Sequence, residues 1–107
     1  MTASISIQID IHPDELRAFC RRWNIVQFAL FGSVLRDDFH DGSDVDVLVT
    51  FRAGTTIHLA EWIALGDELQ AWLGREVDVM TRRSIEDSPN YLRRRMILDS
   101  AQVIYEE

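Results

Sequence analysis

The stretch ALFGSVLRDDFHDGSDVDVLVTF, residues 29–51, decides how this chain folds. It starts inside an apolar run, IVQFALF at 25–31, which ends at Gly32 and Ser33. Ten residues separate this Gly-Ser pair from Asp44, and a second apolar run occupies 45–51. Apolar runs of this length, bounded by polar residues and glycine, are typical of strands covered on both faces. The segment therefore predicts two core strands joined by a turn of helix and a polar loop.

Two aspartates stand at the start of the second strand. Because side chains two residues apart in a strand point to the same face, Asp44 and Asp46 are expected to project together, away from Val45 and Val47. Like charges this close destabilise each other unless a cation lies between them. Carboxylate oxygens without Cys or His ligands are the donors that Mg²⁺ and Mn²⁺ prefer. The pair predicts a divalent metal site.

Two other features support chemistry on phosphates. Glycine allows close backbone approach, and Gly32 with Ser33 offers backbone N–H groups and a hydroxyl to a phosphate. Further along, EVDVM at 76–80 reads as a third, buried strand that carries Asp78, whose charge requires a partner. Asp78 as an exposed residue of an edge strand is the alternative. Arg36 follows the Gly-Ser turn and either reaches a phosphate or pairs with neighbouring aspartates.

The remaining chain alternates helices with strands. Pro13 opens an amphipathic helix in which Cys20 is a core thiol, and a short strand or extended lead-in is predicted over 5–11. A helix from about His58 is stopped by Gly74, another covers about 90–98, and a closing strand spans 102–106. The apolar face of the second helix consists of Leu59, Trp62, Leu65, Leu69, Trp72 and Leu73. The expected fold class is α+β, a small mixed sheet with helices packed on it.

Composition excludes several classes of function. With 107 residues, the chain is expected to form one domain, 1–107. It contains one cysteine, which argues against structural zinc, and its basic residues are all arginine, which excludes a P-loop lysine and a Schiff-base lysine. The net charge of -7 repels nucleic acid. A cytoplasmic location is expected because no signal peptide or membrane span is recognisable.

The order Gly-Ser, ten residues, Asp-x-Asp, then an apolar strand with a central Asp resembles the minimal nucleotidyltransferases of the DNA polymerase beta superfamily. The likeness is strongest to the MntA-type antitoxins, whose partner is a HEPN-domain toxin of the HepT type. It extends over almost the whole chain. One departure is Asp37 after Arg36, where many relatives have glycine, and this affects the expected geometry of the loop.

The resemblance implies a polymerase-beta-like fold and a role for each marked residue. Gly32 and Ser33 would hold the triphosphate of ATP, while Asp44 and Asp46 would hold two magnesium ions. Asp78 would complete the metal site and accept the proton of the attacking hydroxyl. The implied reaction transfers AMP to a tyrosine of the toxin, with which the chain would form a hetero-oligomer, without binding nucleic acid or membrane.

Two alternative functions and one question about a basic segment remain at this level. The chain could be a binding-only antitoxin with a vestigial nucleotide site, or it could transfer a nucleotide to a small molecule. The segment 81–95, which holds five arginines and two acidic residues, is either a solvated face or a contact with nucleotide or with an acidic partner.

Overall fold

The two apolar runs form the centre of a four-stranded mixed sheet, as the sequence predicts. The computed structural model describes residues 11–35 and 44–107, and of residues 33 and 34 only the backbone. The sheet has the order β3-β2-β1-β4, in which β1 is antiparallel to β2 and β4, and β2 is parallel to β3. The strands are β1 (Ile25–Phe31), β2 (Val45–Phe51), β3 (Val77–Thr81) and β4 (Gln102–Glu106). The α+β prediction is confirmed.

Helices cover both faces of this sheet. Side chains of α1 (Pro13–Arg22) and α2 (Leu59–Leu73) pack with Val45, Val47 and Val49 into the larger core. On the other face, α3 (Arg82–Glu86) and α4 (Tyr91–Ser100) contribute Ile85 and Ile97, which pack with Leu48. Alternate residues of β2 therefore enter opposite cores, so the predicted division of its side chains is correct.

Local sequence fixes where the helices of the larger core begin and end. Pro13 occupies the first turn of α1, followed by Asp14 and Glu15 at the positive end of the helix dipole. Gly74 ends α2 in the left-handed conformation with φ 69°, which a residue with a side chain adopts only at a cost. The predicted bounds of these elements agree with the structure to within one residue at these points.

The structure corrects two expectations and adds one element. Leu59 is 74% exposed because it is the first residue of α2 and lies beyond the region where that helix packs on the sheet. The third strand was expected to be buried, yet β3 is an edge strand and most of its residues are only half-buried. The short helix α3 was not predicted, since five residues are too few to show a helical period. The predicted lead-in over residues 5–11 lies almost wholly outside the described residues.

Cys20 is a core thiol, as predicted. It is fully buried in the larger core, and this burial raises its pKa to about 12. A thiolate is therefore disfavoured at neutral pH, which argues against a nucleophilic role. No helix within the described parts of the chain combines the length and the apolar character needed to cross a membrane.

Thr50 offers a test of the second core. Its Oγ1 is buried and finds no hydrogen-bond partner among the described residues. Thr50→Val keeps the shape and removes the unsatisfied hydroxyl, so we expect the free energy of unfolding to rise by about 1 kcal/mol in urea titrations. The control is Thr81→Val, because Thr81 Oγ1 accepts a bond of 3.1 Å from the backbone N–H of Ser84 and caps α3. That change is expected to lower stability by about 1 kcal/mol, and a loss at both positions would contradict the assignment of Thr50.

Candidate active site at the ends of three strands

The candidate site begins where β1 ends. Phe31, the last residue of β1, is paired with Asp46 of β2, and the chain then turns through a short 3₁₀ helix, Gly32–Leu35. Gly32 has φ 78°, in the left-handed region that favours glycine. A Cβ at this position would collide with Oδ2 of Asp46 and lie 3.1 Å from its Cγ. The backbone of the Gly-Ser turn thus lies directly against a predicted metal-binding carboxylate.

The second carboxylate comes from the edge strand. In the parallel register of β2 and β3, Asp46 is paired with Asp78, and Leu48 is paired with Met80. Because Leu48 and Met80 contribute to the second core, Asp46 and Asp78 project on that same face of the sheet. Asp46 is half-buried and Asp78 is exposed. The alternative prediction for Asp78, an exposed residue of an edge strand, is therefore correct. Its pairing with Asp46 is also compatible with the predicted role at a metal site.

Asp44 lies just before β2 and is exposed. The strand start beside it is fixed by a 2.9 Å hydrogen bond from the N–H of Val45 to the carbonyl of Glu76. In residues 11–35 and 44–107, no group of three or more Asp, Glu, His or Cys side chains is arranged to hold a metal ion. The sheet brings Asp46 and Asp78 into register, but these two residues and Asp44 do not form such a group. Their shared role as metal ligands stays a prediction.

The donor set nevertheless fits the predicted metal. Asp44, Asp46 and Asp78 supply carboxylate oxygens alone, and hard oxygen donors with open positions suit Mg²⁺. Of the nucleotide-binding candidates, Gly32 lies beside Asp46 as described, and Ser33 follows it in the 3₁₀ turn. Arg36 lies outside the described residues, so its predicted role is not addressed.

Two cavities lie away from these carboxylates. One, of about 510 Å³, is lined by the last residues of β2 and β3, Phe51 and Thr81, together with Trp62 of α2. The other, of about 640 Å³, lies next to the same strand ends and to α3. Asp46 and Asp78 stand near the beginnings of those strands. Neither cavity therefore supplies an acceptor pocket beside the carboxylates.

Sequence reasoning did not place Arg93 near this site. Its Nη2 lies 3.8 Å from Sδ of Met80, the residue two positions after Asp78 on the same strand. The only signal in the sequence was the basic segment 81–95, for which a solvated face and a ligand contact were left open. Arg83 fits the first reading, since it is exposed and pairs with Asp87 at 3.7 Å.

Several known proteins are similar to this chain in sequence. Residues 15–104 match the family model described as a nucleotidyltransferase domain. The protein adenylyltransferase MntA of Thermococcus cleftensis is 35% identical over 75 residues, which span 70% of this chain and 71% of that protein. Two relatives assigned as protein adenylyltransferases in Methanocaldococcus jannaschii are matched over only 66% and 59% of their own length.

Solved structures show the same fold. A chain assigned as a minimal nucleotidyltransferase is 31% identical, with a TM-score of 0.63 and coverage of 83% of this chain and 85% of that one. A chain from a toxin-antitoxin complex with AMP-PNP aligns with a TM-score of 0.67 over 91% of this chain and 75% of that one. Its sequence identity is 19%, so this second likeness concerns the fold alone.

Gly32→Ala tests the close approach of the turn to Asp46. The added methyl group meets both an unfavourable φ and the Asp46 carboxylate, so we expect a loss of about 2 to 3 kcal/mol in the free energy of unfolding. The matched control is Gly74→Ala, because Gly74 also has positive φ but a Cβ there would meet nothing within 4 Å. The control is expected to lose about 1 kcal/mol, from backbone strain alone. Equal losses measured by urea denaturation would show that Asp46 does not crowd position 32.

Proposed function

Because this chain belongs to the nucleotidyltransferase domain family, we propose that it is a magnesium-dependent protein adenylyltransferase that transfers AMP from ATP to a tyrosine of a HEPN-type toxin. The observation that carries the proposal is the register of Asp46 with Asp78, beside the Gly32 turn. A turn able to receive phosphates and two carboxylates on one sheet face are the parts that phosphoryl transfer requires.

Each part has a separate task in the proposed reaction. The backbone of Gly32 and Ser33 receives the triphosphate, since the positive φ of Gly32 turns the chain out of β1 into a 3₁₀ turn, and the first N–H groups of a helical turn are not bonded within that turn. Asp44, Asp46 and Asp78 would hold magnesium, which supplies charge neutralisation on the reacting phosphate when bound. Asp78 is exposed on the edge strand and is therefore a carboxylate that an incoming acceptor can approach.

The bond changes of the transfer are simple. The acceptor oxygen forms a bond to the α-phosphorus, and the bond from that phosphorus to the oxygen bridging the α- and β-phosphates breaks. Pyrophosphate leaves, and the proton of the acceptor hydroxyl moves to Asp78, which acts as a general base. The product is an adenylylated tyrosine. Asp78 can serve this purpose because a carboxylate accepts a proton and because this side chain is exposed to an incoming hydroxyl.

A protein acceptor suits the shape of the site. Asp78 is exposed, and the two cavities described above lie near the other ends of β2 and β3. A small substrate would need a concave pocket to hold it against the carboxylates. A protein partner brings its own surface and completes the site. The likeness to the protein adenylyltransferase MntA and the fold shared with a chain of a toxin-antitoxin complex support a toxin as that partner.

A titration separates catalysis from simple coverage of the toxin. With ATP and magnesium, a small molar amount of this protein should silence a large excess of the proposed HEPN-type toxin, and the toxin should gain the mass of AMP. Asp44→Ala is expected to abolish both effects, because it removes one predicted metal ligand from an exposed position. Ribonuclease assays and intact-mass spectrometry provide the measurements.

The alternative, a binding-only antitoxin, predicts a different titration. Protection would then saturate near a one-to-one ratio and persist without ATP and in the Asp44→Ala variant. That result would reject the enzymatic proposal. Adenylylation of a small molecule with no mass change on the toxin would reject the proposed acceptor.

Asp78→Asn tests the assignment of the general base. The amide keeps the size of the side chain but takes no proton, so we expect kcat to fall by roughly 10²- to 10⁴-fold with a much smaller change in the affinity for ATP. The matched control is Asp67→Asn, at an exposed position of α2 on the opposite face of the sheet, which should leave both quantities unchanged. A parallel loss of ATP affinity and rate would make Asp78 a ligand of the nucleotide's metal instead.

A further inference from the structure

Arg93 brings a positive charge to the face that carries the carboxylates. It lies in the first half of α4, and its Nη2 is 3.8 Å from Sδ of Met80. Met80 is paired with Leu48 in the register that also pairs Asp78 with Asp46. Asp78 and Met80 are two residues apart on β3, a distance of about 6.6 Å along a strand. The guanidinium therefore lies over the edge strand β3, on the sheet face that carries Asp78.

The neighbouring arginines are occupied by other groups. Arg82, Arg83 and Arg95 form ion pairs within their own helices, with Glu86, Asp87 and Asp99 respectively. Arg94 donates to the backbone carbonyls of Glu86 and Ser88 and so ties the start of α4 to the end of α3. Within the described parts of the chain, the guanidinium of Arg93 contacts a thioether, that of Met80, which carries no charge. The charge of Arg93 is therefore available to bind a ligand, whereas the neighbouring arginines already bind carboxylates or carbonyls.

We infer that Arg93 is a positioning residue that binds a carboxylate of the acceptor protein, close in that protein's sequence to the tyrosine that receives AMP. The inference rests on the proposed function and names the chemistry by which the acceptor is recognised. An arginine binds a carboxylate through two parallel N–H···O bonds, which fix orientation as well as position. A carboxylate held at Arg93 would hold the adjoining hydroxyl near Asp78.

Position within the sheet favours the acceptor over the nucleotide as the partner of Arg93. Gly32, which begins the phosphate-binding turn, follows β1, whereas Arg93 contacts β3, two strands and about 10 Å away across the sheet. Next to Arg93 on α4, Leu92 and Met96 are 70% and 71% exposed. Exposed apolar side chains around a cation are typical of a surface that binds protein, while a triphosphate subsite is lined by polar groups.

The net charge of the chain makes a local cation important for binding an acidic segment. The chain carries a charge of -7, and Asp46 and Asp78 lie on the same sheet face. An acidic acceptor segment would be repelled from this site unless a local cation offset the repulsion. Arg93 can offset this repulsion without neutralising the carboxylates proposed to bind metal, because it contacts Met80 and not Asp78.

The test is a kinetic comparison of Arg93→Met with Arg95→Met, using the HEPN-type toxin that the proposed function names as acceptor. Methionine keeps the apolar stem and removes the charge, and Arg95 is an exposed arginine of the same helix that pairs with Asp99. For Arg93→Met we expect the KM for toxin to rise roughly tenfold, with the KM for ATP unchanged. Arg95→Met should leave both constants unchanged, and Arg93→Lys should recover part of the loss.

A second measurement identifies the carboxylate. Mass spectrometry locates the modified tyrosine of the toxin, and each Asp or Glu within four residues of it is changed to its amide. One such change should raise the KM for toxin as much as Arg93→Met does, and the two changes together should not add. The inference is wrong if the effect of every such amide variant on the KM for toxin adds fully to that of Arg93→Met. It is also wrong if no acidic residue lies within four residues of the modified tyrosine, or if Arg93→Met raises the KM for ATP instead.

Failure of the inference is distinct from failure of the proposed function. If the unchanged protein modifies the toxin but Arg93→Met behaves like Arg95→Met, the adenylyltransferase proposal stands and the role of Arg93 falls. If the unchanged protein does not adenylylate the toxin, the proposed function is wrong, and the inference that rests on it is wrong too.

Discussion

The contact between the backbone of Gly32 and the carboxylate of Asp46 is the constraint on which the candidate site depends. Antiparallel pairing puts Phe31 opposite Asp46, and the chain must leave β1 at the next residue with positive φ to avoid that carboxylate. Any side chain at position 32 would occupy the space of the Asp46 oxygens. The turn that is proposed to receive phosphate and the carboxylate that is proposed to hold metal are thus adjacent because two strands pair in one register.

The rest of the fold maintains that register. Helices α1 and α2 bury one face of β2, while α3 and α4 bury Leu48 on the other, so a shift by one residue would move valines and aspartates to the wrong faces. The carboxylates are tolerated because they lie near the strand starts, outside both cores. The sheet order leaves β3 at an edge, and this makes Asp78 accessible to a partner.

At the β3 edge of the sheet, the exposure of the site favours binding of a protein, while its negative charge opposes binding of an acidic segment. An exposed site admits a protein acceptor, but an acidic one repels an acidic segment and lets water compete for every polar contact. The proposed role of Arg93 resolves part of this conflict, because it supplies a cation from a separate helix without entering the carboxylate pair. The exposed Leu92 and Met96 add apolar surface that a protein partner can cover.

The sequence by itself determined the central strands, the main helices, the stop at Gly74 and the shared face of alternate residues in β2. These follow from local periodicity and from backbone preferences, which act over a few residues. Tertiary structure alone decided that β3 is an edge strand, that Asp78 lies in register with Asp46, and that Arg93 contacts Met80. Strand order and the packing of α4 depend on contacts between residues far apart in the chain, and no local pattern specifies which edge of a sheet remains uncovered.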